Sequence, residues 1–216
     1  MMKKRSALLL GLWLLYSVAA VAGTPEEHLL SGSKFAQEKK YSEAAREFET
    51  AVALDPKNAE ANLLLGLTLA NTGDLDRALQ YSAAAVQLKP TYAGFNNLAL
   101  INARNEKYTE AAEAYENALK LNPASYKAWH QLGKVYATDL KFEKSIEAYG
   151  KAIALNPNFV EAYQGLGSSY YWNGNTEQAL AQVEKLKGLK LASSANQLND
   201  WIKDKETKKK KSAPTS

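Results

Sequence analysis

The sequence predicts an all-α fold: an array of five tandem helix–turn–helix units closed by a short terminal helix. Three observations predict it. A Leu-x-Pro signature recurs as Leu54-Asp55-Pro56, Leu88-Lys89-Pro90, Leu121-Asn122-Pro123 and Leu155-Asn156-Pro157, at separations of 34, 33 and 34 residues. An alanine-containing helical run precedes each signature. Glycine and proline are sparse, 12 and 6 in 216 residues, which favours long helices. Periodicity of this length marks architectures in which each unit buries its apolar face against its neighbours.

Taken in chain order, residues 1–22 carry the pattern of a secretory signal. Met1-Met2-Lys3-Lys4-Arg5 is a positive stretch, Ala7 to Leu15 is apolar, and Ala20-Val21-Ala22 supplies small residues for cleavage after Ala22. The apolar run Ala7 to Ala22 is short for a membrane span, which needs about 20 residues; an uncleaved anchor is the alternative. With no Asn-x-Ser/Thr sequon, the expected location is a bacterial periplasm or exterior. Thr24-Pro25-Glu26-Glu27 then opens the first helix: Thr24 as N-cap, Pro25 at the first position and Glu27 completing a capping box.

Each interval between prolines holds two helices and two turns. Proline lacks an N–H and pushes the residue before it out of the α region, so each proline ends a helix at the same phase. In the fourth unit, Trp129, Leu132, Gly133 and Tyr136 share one face of a first helix, and Ser145, Tyr149 and Ala152 share a face of the second. A small residue such as Gly133 lets the two helices approach closely. Gly73 and Gly174 fall in the turns between helices, where a left-handed residue closes the first helix. Lys39, Glu106 and Leu140 hold the equivalent places, so glycine helps there without being required.

The fourth unit, read as Trp129, Leu132, Gly133, Tyr136, Ser145, Tyr149, Ala152 and Pro157, resembles the tetratricopeptide repeat pattern. The second carries Leu65, Gly66, Leu69, Ala78, Ala85 and Pro90, and the first Gly32, Phe35, Ala44, Phe48, Ala51 and Pro56. The fifth has Tyr163, Leu166, Gly167, Tyr170 and Ala179, with Leu191 in place of its proline. The third has Phe95, Leu98, Ala99, Ala111, Tyr115, Ala118 and Pro123, with Asn102 at the usual aromatic site and one residue missing near Thr91. The resemblance covers about residues 25–193, as repeats 25–58, 59–91, 92–125, 126–159 and 160–193. It implies a right-handed α-solenoid whose first helices line a concave groove. Residues 194–207, with the apolar stripe Leu198, Trp201 and Ile202, are expected to form a capping helix, and residues 208–216 a disordered basic tail.

The function implied is non-catalytic binding of a protein or peptide. Groove positions are expected at Leu29, Ser33, Gln37, Leu63, Leu67, Asn71, Asn96, Leu100, Arg104, Lys127, His130, Lys134, Gln164, Ser168, Tyr171 and Trp172. Leu63, Leu67 and Leu100 would offer an apolar strip to a partner side chain. Lys127, His130 and Lys134 share a helix face as part of a mildly cationic surface, and an acidic or C-terminal carboxylate would lie near Lys127 and Lys134. The two-carboxylate clamp of some relatives needs a set of Lys, Asn and Arg that no three consecutive units supply, so that activity is not carried over.

Composition excludes several other classes. The chain has no Cys, which removes disulfides, cysteine-based metal sites and thiol nucleophiles. His28 and His130 lie far apart, so no metal or cofactor is expected, and His28 reads as a core histidine in a large-residue position. Glu43, Glu47, Glu110, Glu113, Glu143 and Glu147 read as solvated helix faces, and no Gly-rich phosphate loop occurs. The basic character sits at the two ends, in Lys3, Lys4 and Arg5 and in the lysines from Lys203 to Lys211. The body between is slightly acidic and speaks against nucleic acid. The alternative role is an envelope- or membrane-surface adaptor tethered through Lys208–Lys211.

Overall fold

The structure, a computed structural model, describes residues 23–212, and among them every regular element is an α-helix. The expected signal at residues 1–22 and the end of the tail lie outside the described residues. The chain divides into two compact units, at Met1–Pro90 and Thr91–Ser216. The first holds α1 (Pro25–Gln37), α2 (Tyr41–Leu54), α3 (Ala59–Thr72) and α4 (Leu75–Leu88). The second holds α5 (Tyr92–Arg104), α6 (Tyr108–Leu121), α7 (Tyr126–Thr138), α8 (Phe142–Leu155), α9 (Val160–Trp172), α10 (Thr176–Gly188) and α11 (Ala192–Ser212). Successive helices pair as hairpins: α1–α2 and α3–α4 in the first unit, then α5–α6, α7–α8 and α9–α10 in the second.

Two alternating turn types set this order. Helices α2, α4, α6 and α8 stop at Asp55, Lys89, Asn122 and Asn156, each extended in φ and each followed by proline. The other turns close on a left-handed residue. Lys39, Glu106 and Leu140 take φ of 59°, 59° and 58°, where Gly73 and Gly174 take 93° and 84°. The next N–H then reaches back, as from Lys141 to the Tyr136 carbonyl at 2.8 Å and from Asn175 to the Tyr170 carbonyl at 2.8 Å. Lys190 at 61° closes α10 the same way, with the Leu191 N–H on the Leu186 carbonyl at 3.0 Å. A proline at 191 would lack that N–H.

The prolines do a second job. The carbonyls of Pro56, Pro123 and Pro157 accept from the residue six positions on, one turn into the next first helix. Asn62 Nδ2–H, Trp129 Nε1–H and the Tyr163 hydroxyl donate to the carbonyls of Pro56, Pro123 and Pro157 at 3.1, 2.9 and 3.1 Å. Side-chain caps on Asn58 and Ser125 fix two of the same helix starts, and Thr91 caps the start of α5. The capping box at Thr24 is complete, with both reciprocal bonds formed. His28 Nδ1 lies 2.7 Å from Glu47 Oε2 and ties α1 to α2.

Glycine sets the spacing within the hairpins. A methyl at Gly32 would stand 2.6 Å from the Phe48 ring, and one at Gly133 3.0 Å from the Tyr149 ring. At Gly66 it would meet Ser82 Oγ at 2.3 Å and, behind it, the Ser82 nitrogen and Ala78 carbonyl at 3.0 and 3.1 Å. Tyr149 also packs on Gly165, where a methyl would fall 2.3 Å from its ring. Beside it, the buried Ser145 hydroxyl donates to the Gly133 carbonyl at 2.7 Å and lies 2.8 Å from Ser169 Oγ, so three helices share one polar link.

Helix α11 is a first helix without a second. Its buried Ala195, Leu198 and Ile202 repeat the spacing of Ala162, Gly165 and Ser169, the face by which α9 meets α8. Where α9 turns Tyr163, Leu166, Gly167 and Tyr170 toward α10, α11 carries Asn196, Asn199, Asp200 and Lys203. That face is polar, so the stack ends there. The helix begins two residues before the expected Ser194 and runs to Ser212, past the expected end at Thr207. Lysines 208–211 were expected to be disordered, but Lys208–Lys211 lie within the helix. Lysine is a good helix former, its charge suits the negative end of the helix dipole, and Lys208 pairs with Asp204 one turn back at 2.7 Å.

Gly66→Ala is expected to lower stability by roughly 1–3 kcal/mol, because backbone atoms cannot retreat from the added methyl. Gly150→Ala, where a methyl meets nothing within 4 Å inside α8, should raise it by roughly 0.5–1 kcal/mol. Urea denaturation should move the two midpoints in opposite directions. Leu140, 74% exposed and left-handed, is a separate test: Leu140→Gly should leave the fold intact and raise the thermal midpoint, by up to about 1 kcal/mol in stability.

Candidate peptide-binding face of the first helices

In the second unit, α5, α7, α9 and α11 each present one outward stripe beside the stripe that packs the core. On α5 it is Asn96, Leu100 and Arg104; on α7, His130, Lys134 and Thr138; on α9, Gln164, Ser168 and Trp172. The same register on α11 gives Gln197, Trp201 and Lys205.

A shallow cavity of about 250 Å³ opens between α5 and α7. Leu100, Ala103 and Arg104 form one wall, Gln131, Lys134, Val135 and Thr138 the other, and Tyr108 and Tyr115 of α6 the floor. Arg104 and Lys134 are exposed, and neither enters an ion pair among the described residues. Burial pushes the Tyr115 hydroxyl up to about 12, so it stays protonated at neutral pH. The cavity thus sets two cations beside Leu100, 37% exposed, over an aromatic floor. That chemistry suits a carboxylate carried next to an apolar group.

The expected positions fall as follows. Leu100, Arg104 and Lys134 meet at this cavity. Asn96 is half-buried on α5. Leu63 and Leu67 belong to the first unit, where Leu63 is half-buried and Leu67 is 41% exposed. Leu29 and Ser33 are half-buried there, Gln37 is exposed, and Asn71 Nδ2–H donates to the Leu67 carbonyl at 3.0 Å. Lys127 is exposed at the start of α7, its Nζ 6.0 Å from the centre of the Tyr126 ring. Gln164 Nε2 approaches Gln197 Oε1 at 3.4 Å, and the Ser168 hydroxyl donates to the Gln164 carbonyl at 2.9 Å.

Two expectations need correction. His130 does not add a cation beside Lys127 and Lys134. Its ring lies against Phe159 and Tyr149, with centroids at 4.9 and 5.5 Å. Burial lowers its pKa, which Glu161 raises in part and Lys134 lowers further, so the imidazole is uncharged at neutral pH. Tyr171 does not offer a free face. Its ring is buried against Trp172 and Trp201, each 5.4 Å away, because α11 covers this side of α9. Trp172 itself remains 52% exposed.

The residues that sequence reasoning missed are Trp201 and Lys205 of α11, with Gln131 and Thr138 of α7. A signal for Trp201 was present: it stands 33 residues after Ser168, as Ser168 stands 34 after Lys134. Its grouping with Leu198 and Ile202 as a packing stripe obscured that register. Among the described residues no cluster of His, Cys, Asp and Glu could hold a metal ion, and no helix is long and apolar enough to cross a membrane.

Comparison with known proteins agrees with this architecture. Two profiles of the tetratricopeptide repeat match, one over residues 31–93 and one over residues 103–139 and 141–182. A crystal structure of the MamA protein is 26% identical, covering 89% of this chain and 97% of its own, with a TM-score of 0.71. MamA from Desulfovibrio magneticus RS-1 is 23% identical over 79% of this chain and 96% of its own, with a TM-score of 0.72. YrrB, described as a tetratricopeptide repeat protein with an unusual peptide-binding site, is 17% identical over 80% of this chain and 90% of its own, with a TM-score of 0.70. No curated protein sequence matched. Two repeat profiles that together take in most of the array, on a chain built of paired helices in register, establish that it belongs to the tetratricopeptide repeat family.

Proposed function

We propose that this protein is a non-catalytic scaffold that holds a peptide or partner protein against the faces of its first helices. The observation that carries the reading is the cavity between α5 and α7, where the unpaired cations Arg104 and Lys134 flank the exposed Leu100. An acidic side chain or a C-terminal carboxylate next to an apolar residue suits it. The peptide-binding site in the description of YrrB supports the class of function. The pattern in residues 1–22 supports export to a periplasm or the exterior.

A second role as an envelope-surface adaptor is favoured by one feature: Lys208, Lys209, Lys210 and Lys211 are all exposed on the final turns of α11. Clustered lysines near an anionic surface contribute about 1 kcal/mol each.

A random peptide display library selected on the wild-type chain should enrich peptides bearing a carboxylate beside an apolar residue. The double variant Arg104→Ala/Lys134→Ala should bind those peptides about ten- to a hundred-fold more weakly, since a charged hydrogen bond is worth about 1.5–3 kcal/mol. Equal recovery by the double variant would reject the site. For the second role, a chain ending at Lys205 should lose sedimentation with phosphatidylserine vesicles while keeping its peptides; unchanged sedimentation removes that role.

A further inference from the structure

The other end of the same wall has the opposite electrostatic preference. Trp172, 52% exposed at the end of α9, and Trp201 of α11 stand with ring centres 6.1 Å apart and planes at 75°. Tyr171 packs edge-on against both and backs the cleft between them. Lys205 lies one turn beyond Trp201, and its Nζ is 5.6 Å from the Trp172 ring centre and 5.7 Å from that of Trp201. A single ammonium thus sits against two indole faces. Lys205 is half-buried, whereas Lys203 and Lys208–Lys211 on the same helix are exposed. Burial raises the pKa of the Tyr171 hydroxyl and Glu206 lies near enough to raise it further, so a carboxylate stands beside the cleft.

Indole faces attract cations through the ring quadrupole, most strongly when the cation is loosely hydrated. A lysine ammonium is a compact and strongly hydrated charge, which makes it a weak occupant; a guanidinium or a methylated ammonium sheds water more readily. We propose that the Trp172–Trp201 cleft is a cation-binding subsite of the wall, filled in the free protein by Lys205. It takes the arginine guanidinium or methylated ammonium of a bound peptide when that group displaces Lys205. The assignment rests on reading this wall as a ligand-binding face, and it adds a direction: the carboxylate-bearing part of the ligand lies toward α5 and its cationic part toward α11.

The test uses choline as the probe and 3,3-dimethylbutan-1-ol, its uncharged isostere, as the control. Each is titrated into the ¹⁵N-labelled full chain at constant ionic strength, and the indole N–H signals are followed. Trp129, whose N–H is held on the Pro123 carbonyl, serves as an internal reference. Choline should shift Trp172 and Trp201 saturably and leave Trp129 in place, and the isostere should shift none of them. Lys205→Gln should tighten choline binding about two- to five-fold by removing the internal competitor. Trp172→Leu, which alters a half-exposed ring, should abolish the shift at Trp201 with the helical circular dichroism unchanged. Equal shifts with the isostere, silence of both indoles in the Lys205→Gln chain, or an unchanged choline affinity in that chain would each overturn the proposal. No peptide enters this titration, so its failure rejects the cation subsite alone. Loss of peptide selection with the choline response intact rejects the peptide reading alone.

Discussion

The fit of a large ring against a missing side chain carries this fold. Tyr149 of α8 lies against Gly133 of α7 and Gly165 of α9 at once, so one side chain fixes both the hairpin and its junction to the next. Phe48 makes the same fit at Gly32 in the first unit, and at Gly66 the small Ser82 and the backbone of α4 come close instead of a ring. Such contacts are all near in sequence, and within each unit a hairpin depends on its immediate neighbours and on little else. Alanine fills the remaining seam: Ala44, Ala51, Ala78, Ala85, Ala111, Ala118, Ala152 and Ala179 are all buried. Helices packed this closely leave no room for variation on their inner faces, so diversity is confined to the outward stripes.

Much of this was legible in the residues. Proline disfavours helix at the position before it and removes a donor, so four prolines in register set four helix ends. The left-handed turns were legible for the same kind of reason at Gly73 and Gly174, and by register at Lys39, Glu106 and Leu140. The hydrogen bonds of Asn62, Trp129 and Tyr163 to prolyl carbonyls were not legible. Three different side chains satisfy one acceptor, and no residue type marks the position. The end of α11 is not legible from composition, because a run of lysines reads as a disordered tail unless the Asp204–Lys208 pair one turn apart is weighed with it.

The candidate face was legible as positions and less so as chemistry. Register alone placed Leu100, Arg104 and Lys134, and these three meet at one cavity. The state of His130 depended on Phe159 and Tyr149, which come from α8 and the turn before α9, so its lost charge could not be read from the spacing on α7. Tyr171 failed as a wall residue for a related reason. Its fate is decided by α11, more than twenty residues away, whose Trp201 belongs both to a packing stripe and to the outward register. Neighbouring helices decide whether an outward position stays open, and that information is tertiary.

The polar stripe of Asn196, Asn199, Asp200 and Lys203 has a consequence for how such a chain can grow. Tandem duplication lengthens these proteins by copying a segment that presents an apolar seam at both borders. A copy spliced in at the junction of two packed hairpins, such as α6 and α7, finds such a seam on each side and extends the stack. A copy appended after Ser212 meets amides, a carboxylate and an ammonium, and would dangle as a separate body. Units can therefore be added at junctions between hairpins and not beyond α11, and a copy placed between α6 and α7 would carry the two tryptophans farther from Arg104 while leaving the pair intact.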